Sequence, residues 1–149
     1  MKQAIDQAYL AYQEKEVPVG AIIVSPEGKV VAEARNTKET LHNPCGHAEI
    51  NALMKAGEAS KSWRLDGHLL FVTLEPCAMC LGAMIQARIK HLYFGAYDAK
   101  GGALSLGYHI NNDQRLNHRF GVTGGIQHFS CSKILSDFFK ERRQQYRPN

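Results

Sequence analysis

Two short motifs stand thirty residues apart: His47-Ala48-Glu49 and Pro76-Cys77-Ala78-Met79-Cys80. Any fold that uses both must bring one imidazole, two thiols and a carboxylate to a single point. One His and two Cys form the ligand set of a zinc site that keeps a coordination position open, and a carboxylate beside it can carry protons. The combination points to hydrolysis and constrains the fold more than any other feature of the chain.

Local patterning says how the two segments present their side chains. Thr73-Leu74-Glu75-Pro76 leads out of a strand that Pro76 ends, and Cys77 and Cys80, three apart, then share one face of a helix's first turn. A helix N-terminus offers a positive dipole end and free N–H groups, which favour the thiolate a metal requires. His47 opens another helical pattern, so two helix N-termini converge on one cation. Glu49 lies about 200° around an ideal helix from His47, which makes it a poor fellow ligand and a good neighbour for the zinc-bound water. The expected metal ligands are therefore His47, Cys77 and Cys80, with Glu49 as the catalytic proton carrier.

Other readings of these residues compete. A CxxC alone suits a redox pair or a structural zinc knuckle, and Cys45 could close the site as a fourth ligand. Cys45 lies in a loop with one residue between it and His47, which leaves little slack, so Cys45→Ser is expected to keep zinc and activity. Cys131 is expected to be a buried apolar thiol. The sole Trp, Trp63, reads as packing before it reads as a base platform.

The rest of the chain alternates helix and strand. Ile5, Ala8, Tyr9 and Tyr12 recur at helical spacing and are expected to face the core. Val17 to Val24 reads as a strand, Pro26-Glu27-Gly28-Lys29 as a turn, and Val30 to Ala34 as the antiparallel return. After a loop from Asn36 to Gly46, the helix from His47 carries Ile50, Leu53 and Met54 on one side, with Gly57 as its stop. Leu69 to Thr73 is a buried strand, Cys77 to Arg88 a helix, and His91 to Gly95 another strand. Lys100 to His118 reads as a long functional loop with a helical turn near its end, and Val122 to Gln127 as a last strand. Ile134, Leu135, Phe138 and Phe139 mark the inner face of a closing helix. The order implies an α/β sheet with helices on both faces, in one domain over residues 1–149.

Composition narrows the class. With 44% hydrophobic and 21% charged residues and no apolar run near the ~20 residues of a membrane helix, the chain reads as an ordinary globular protein. Its start, MKQAIDQAYLAYQEK, has acidic residues where a secretory signal would be apolar, so the expected compartment is the cytoplasm, where a CxxC with a His nearby serves metal binding. Three of the four net positive charges lie from Lys133 onward, carried by Lys133, Lys140, Arg142, Arg143 and Arg147 against Asp137 and Glu141. That asymmetry suggests a polyanion partner, with a solvated helix face as the alternative.

H-x-E followed by P-C-x-x-C is the known signature of the zinc-dependent nucleobase deaminases. The resemblance goes further. Glu16-Val17-Pro18-Val19-Gly20-Ala21, Asn36, Thr73-Leu74-Glu75-Pro76-Cys77-Ala78-Met79-Cys80, Gly82-Ala83-Met84, Ala87-Arg88-Ile89, Asp98-Ala99-Lys100, Leu116-Asn117-His118-Arg119 and Ser136-Asp137-Phe138-Phe139 resemble blocks of the bacterial tRNA-specific adenosine deaminases. The resemblance runs from about residue 9 to about residue 143. It implies a cytidine deaminase-like fold, a three-layer α-β-α sandwich around a mixed sheet of about five strands. It also implies a homodimer, one zinc per subunit, and conversion of the wobble adenosine of a tRNA anticodon to inosine. Asn36 would contact the flipped nucleotide, the backbone at Ala48 would help hold the base, and Asp98 would lie on the RNA-facing loop. The chain departs from the family pattern at Asn43-Pro44-Cys45-Gly46 and at Ser105-Leu106, which bears on loop geometry and RNA fit.

The expected reaction is attack of zinc-bound hydroxide on C6 of adenine. Glu49 protonates the ring nitrogen and then the departing amine, which leaves inosine and ammonia. A base in a tRNA loop must be splayed into a pocket while cations and stacking groups hold its neighbours. Lys100, Arg119, Tyr97, Tyr146 and the C-terminal basic residues are candidates for that work. Deamination of a free base or nucleotide, such as guanine or deoxycytidylate, is the alternative activity, and a zinc-stabilised RNA-binding module is the alternative without catalysis.

Overall fold

In the computed structural model, which describes residues 1–145, five strands form one mixed sheet in the order β2-β1-β3-β4-β5. β1 (Gly20–Val24) pairs antiparallel with β2 (Val30–Arg35) and with β3 (Leu69–Leu74). β4 (His91–Ala96) and the short β5 (Gly121–Thr123) continue the sheet in parallel. Helices α1 (Lys2–Gln13) and α4 (His128–Gln145) pack together on one face, and α2 (Ala48–Ser60) and α3 (Ala78–Ala87) on the other. This is the expected three-layer sandwich.

The α2/α3 face holds the larger core. Ala21, Ile23, Leu70, Val72, Leu92 and Phe94 of the sheet meet Ala52, Leu53 and Ala56 of α2 and Leu81, Met84 and Ile85 of α3. Strand alternation sends the neighbouring residues to the other face, where space is tight. A Cβ on Gly20 would lie 2.0 Å from the Ala4 carbonyl oxygen of α1, so α1 rides close against β1.

That closeness corrects the expected face of α1. The residues it buries are Ala4, Ala8 and Ala11, because only small side chains fit beneath a helix seated on a glycine, and Tyr9 is 55% exposed. α2 buries Ala48, Glu49, Ala52, Leu53 and Ala56, so Leu53 faces the core as expected, while Ile50 is half-buried and Met54 is 61% exposed. Gly57 does not stop α2; the helix runs on to Ser60, and Lys61 after it takes the left-handed conformation (φ 49°).

Three further boundaries move. The first strand begins at Gly20 and not at Val17, since Pro18 has no N–H to give a ladder. β5 ends at Thr123 and not at Gln127, because the chain turns away at Gly124 over the Phe94 ring and Gly125 has φ 82°. The buried side of α4 is Cys131, Ile134 and Phe138, with Phe139 exposed. The long loop after β4 does contain a helical turn, at Ile110–Asn112 in its middle.

Candidate active site

β3 and β4 run parallel, and chains leaving the carboxyl ends of parallel strands are where open α/β sheets build sites. Leu74 and Ala96 are paired at that end, followed by Glu75-Pro76-Cys77 and by Tyr97-Asp98. The antiparallel β1/β2 pair brings Val19 and Asn36 to the same end, joined by a hydrogen bond from the Asn36 N–H to the Val19 carbonyl at 3.0 Å. α2 and α3 both start there.

His47 and Cys77 occupy the N-cap positions of α2 and α3, both in extended backbone conformation and neither making a side-chain capping hydrogen bond. Ser, Thr, Asp or Asn usually hold such positions. Here the side chains turn to one another. His47 Nδ1 lies 3.6 Å from Cys77 Sγ and 3.6 Å from Cys80 Sγ, and the two sulfurs are 3.7 Å apart. Ligands of a tetrahedral zinc, at about 2.3 Å for sulfur and about 2.0–2.1 Å for nitrogen, stand roughly 3.5–3.8 Å from one another, so this donor triangle fits that ion. Among the described residues, the donors that come within 4.8 Å of one another are His47, Cys77 and Cys80, and the group excludes Cys45 and Glu49. Cys45 is exposed and Cys131 buried.

The electrostatics of the cluster follow from its packing. The Cys80 thiol, and after it the His47 ring, holds Cys77 down at about 4, and the same sulfur contact together with burial pushes Cys80 up. The Cys77 contact raises His47. Glu49, on the first turn of α2 and 4% exposed, is pushed up to about 7 by burial.

A cavity of about 240 Å³ opens over the cluster. It is lined by His47, Ala48, Glu49 and Cys77 at the two helix starts, by the apolar Val17, Val19 and Leu74, and by Asn36, Lys38, Glu75, Asp98 and Gly101. The structure therefore brings Asn36, Ala48 and Asp98 together with the metal donors and Glu49. Lys100 is on the same loop, exposed, and does not line the cavity; its N–H donates to Asp98 Oδ1 at 2.9 Å. Arg119 is not brought there. It precedes Phe120 and β5, whose Gly121 is paired with His91 at the beginning of β4, so Arg119 sits at the opposite end of the parallel strands. Its guanidinium donates to the Leu116 carbonyl at 3.1 Å.

The basic C-terminal helix is partly committed within the fold. Lys133 pairs with Asp137 at 2.6 Å, and Arg142 donates to the Lys15 carbonyl at 2.9 Å while covering the Phe138 ring. Lys140 and Arg143 are exposed. Tyr146 and Arg147 lie outside the described residues. Trp63 is 65% exposed, next to Ile50, Leu53, Met54, Ala83 and Ala87 in an apolar groove on the outside of α2 and α3.

Sequence reasoning passed over Lys38 and two buried acids. Glu16 is fully buried and accepts from the Asn36 side-chain amide at 3.1 Å and the Thr40 N–H at 2.6 Å, which fixes both the Asn36 side chain and the loop behind it. Glu75 does the corresponding work for the Asp98 loop. Only Glu75 carried a local signal, an acid directly after the apolar strand β3; Glu16 follows Glu14 and Lys15 and has none.

An imidazole and two thiols meeting at two helix N-termini, with a buried carboxylate on the first turn of one of those helices, match the His, Cys, Cys and Glu set of the nucleobase deaminases. The comparisons with known proteins agree. The family model for MafB19-like deaminase matches residues 1–143. The tRNA-specific adenosine deaminase of Bacillus subtilis (strain 168) is 40% identical over 145 residues, covering 97% of this chain and 89% of that protein. The enzyme of the same name from Haemophilus influenzae is also 40% identical over 145 residues, covering 97% and 84%. A structure from studies of A-to-I editing by tRNA:A34 deaminases at the wobble position of transfer RNA superposes with a TM-score of 0.86 at 39% identity, covering 91% of this chain and 97% of that one. The chain belongs to the MafB19-like deaminase family, in the branch of the tRNA-specific adenosine deaminases, and its fold is the cytidine deaminase-like one.

Proposed function

We propose that this chain, as one deaminase domain over residues 1–149, hydrolyses the wobble adenosine of a tRNA anticodon to inosine. The observation that carries the reading is the donor triangle of His47, Cys77 and Cys80 with Glu49 beside it, at the floor of a cavity walled by Asn36 and Asp98. Relatives that are 40% identical over nearly the whole chain and are named for this activity supply the substrate.

His47, Cys77 and Cys80 would hold one zinc per subunit, which when bound makes water acidic enough to act as a nucleophile near neutral pH. Glu49 moves the protons: it accepts one from the attacking water, gives it to the ring nitrogen beside C6, and serves again as the amine departs. Oxygen is added at C6 and ammonia leaves. Asn36 offers a side-chain amide to the base, and the backbone at Ala48 lies at a helix start whose first N–H groups have no helical partner. The cavity is smaller than the roughly 300–1,000 Å³ of drug-sized sites, which suits one base inserted from a strand. Asp98 and, at the rim, Lys100 face the flanking nucleotides, and Lys140 and Arg143 add exposed positive charge. Arg119 contributes only if the RNA extends to the far end of the sheet.

Two further parts of the reading rest on the family. The homodimer is supported by the apolar groove of Ile50, Met54, Trp63, Ala83 and Ala87, which a second copy would cover. The cytoplasm is inferred from a tRNA substrate. No helix among the described residues is long and apolar enough to cross a membrane.

The test is inosine formation on an anticodon stem-loop carrying adenosine at the wobble position, run beside ammonia release from guanine and deoxycytidylate. Inosine in the stem-loop with inert free substrates is expected; turnover of free substrates alone would overturn the proposal.

A further inference from the structure

Glu75 borders the same cavity but is neither a metal donor nor one of the groups assigned to the chemistry, and its 3% exposed side chain is turned into hydrogen bonds with the protein. Its Oε1 accepts from the Ser105 N–H at 2.7 Å, and its Oε2 accepts from the Asp98 N–H at 3.0 Å and the Ser105 hydroxyl at 2.6 Å. All three donors belong to one loop. Gly102 of that loop passes over the carboxyl group so closely that a Cβ there would lie 2.4 Å from Glu75 Cδ. The Ala103 N–H donates to the Pro76 carbonyl at 2.9 Å, so the contact continues toward the metal cluster. Asp98, held through its own N–H, is shaped further by Lys100 and Gly101, whose N–H groups donate to its Oδ1 at 2.9 and 3.1 Å.

The backbone N–H of Glu75 donates to the Ala96 carbonyl at 2.8 Å, which fixes the residue to β4, and two residues on is Cys77. One side chain thus joins the segment that carries the two thiols to the loop that carries the Asp98 wall. A buried carboxylate is a poor choice for stability alone, since an apolar residue of similar volume commonly does as well or better. Its particular property is that it only accepts, so it imposes donors on the loop and thereby one loop conformation.

We propose that Glu75 is a positioning residue: it sets the Asp98 wall of the cavity in register with the Cys77/Cys80 helix and so determines how tightly a nucleic-acid substrate seats. The proposal rests on the deaminase reading for its substrate, while its structural half stands without one. Glu75→Gln is the sharp variant because it keeps the volume. Whichever way the amide turns, its NH2 faces either the Asp98 N–H or the Ser105 N–H, a donor against a donor.

The experiment uses the full chain and measures zinc content, thermal midpoint, stem-loop Kd by fluorescence anisotropy, kcat and KM for inosine formation, and hydrogen exchange at the Asp98 and Ser105 amides. Loss of a hydrogen bond to a charged group corresponds to about a 10- to 100-fold effect. Glu75→Gln is expected to raise Kd and KM by that factor, with zinc retained, kcat changed far less, and faster exchange at both amides. Ser105→Ala, which removes only the hydroxyl donor, is expected to fall between this variant and the wild type. It carries the test if Glu75→Gln does not fold. Kd and KM within twofold of wild type in a folded Glu75→Gln protein, or in Ser105→Ala when that variant stands in for it, overturns the proposal. So does loss of zinc or of thermal stability with Kd unchanged. A wild-type protein that makes no inosine would overturn the assigned function instead, and amide exchange at Asp98 and Ser105 would still decide whether Glu75 holds the loop.

Discussion

The cavity has two kinds of wall. On one side His47, Glu49, Cys77 and Cys80 sit at the starts of two helices whose places are fixed by a five-stranded sheet and a common core. On the other side Asn36, Lys38, Asp98 and Gly101 sit on loops outside the regular elements, braced by two buried acids, Glu16 and Glu75. The helical wall owes its geometry to backbone hydrogen bonds repeated along whole elements. The loop wall owes its geometry to scattered backbone bonds, such as Asn36 N–H to Val19 and Ala103 N–H to Pro76, and to a few side-chain contacts that single substitutions can remove. Chemistry common to many substrates belongs on the first wall and fit to one substrate on the second.

If that division is right, changes on the two walls differ in kind. The largest effect is expected for His47→Ala or Cys80→Ala: zinc measured by atomic absorption falls away and inosine formation drops by orders of magnitude on every substrate, as it also does after chelation, with recovery on adding zinc back. A zinc-loaded, active Cys80→Ala protein would break the comparison at its strongest side. Next comes Asn36→Ala on the loop wall. It removes a polar group facing the cavity and takes a donor from buried Glu16, so KM is expected to rise about 10- to 100-fold with zinc content unchanged. Loss of zinc in that variant would show that the two walls are not separable.

Smaller effects lie farther out. Arg143→Ala, at an exposed position of α4, is expected to weaken stem-loop binding equally for all sequences and to lower the slope of log affinity against log salt by about 1. An unchanged slope would leave α4 as a solvated helix face. Cys45→Ser is expected to alter neither zinc content nor rate, because this exposed thiol stands outside the donor triangle.

How legible each region was in the sequence follows the same division. His47, Cys77, Cys80 and Glu49 could be placed because helical spacing and the strand-ending Pro76 fix directions over a few residues. The layer order was readable for the same reason. The face of α1 is misplaced by local periodicity because the packing of Ala4, Ala8 and Ala11 depends on Gly20, a strand residue that such periodicity does not weigh. The loop wall was the least readable. Glu75 meets Ser105 across thirty residues and Glu16 meets Thr40 across twenty-four, and nothing local announces either pair. Arg119 was grouped with substrate contacts by its neighbours in sequence, whereas the register of β5 on β4 puts it at the far end of the sheet.

The most direct test of the account is Glu49→Ala with zinc and inosine measured on the same preparation. The account predicts a folded protein with the wild-type zinc content whose inosine formation on the anticodon stem-loop falls at least about 10²- to 10⁴-fold, the usual contribution of a positioned general acid and base. A zinc-loaded Glu49→Ala protein that still converts the stem-loop adenosine at close to the wild-type rate would contradict it.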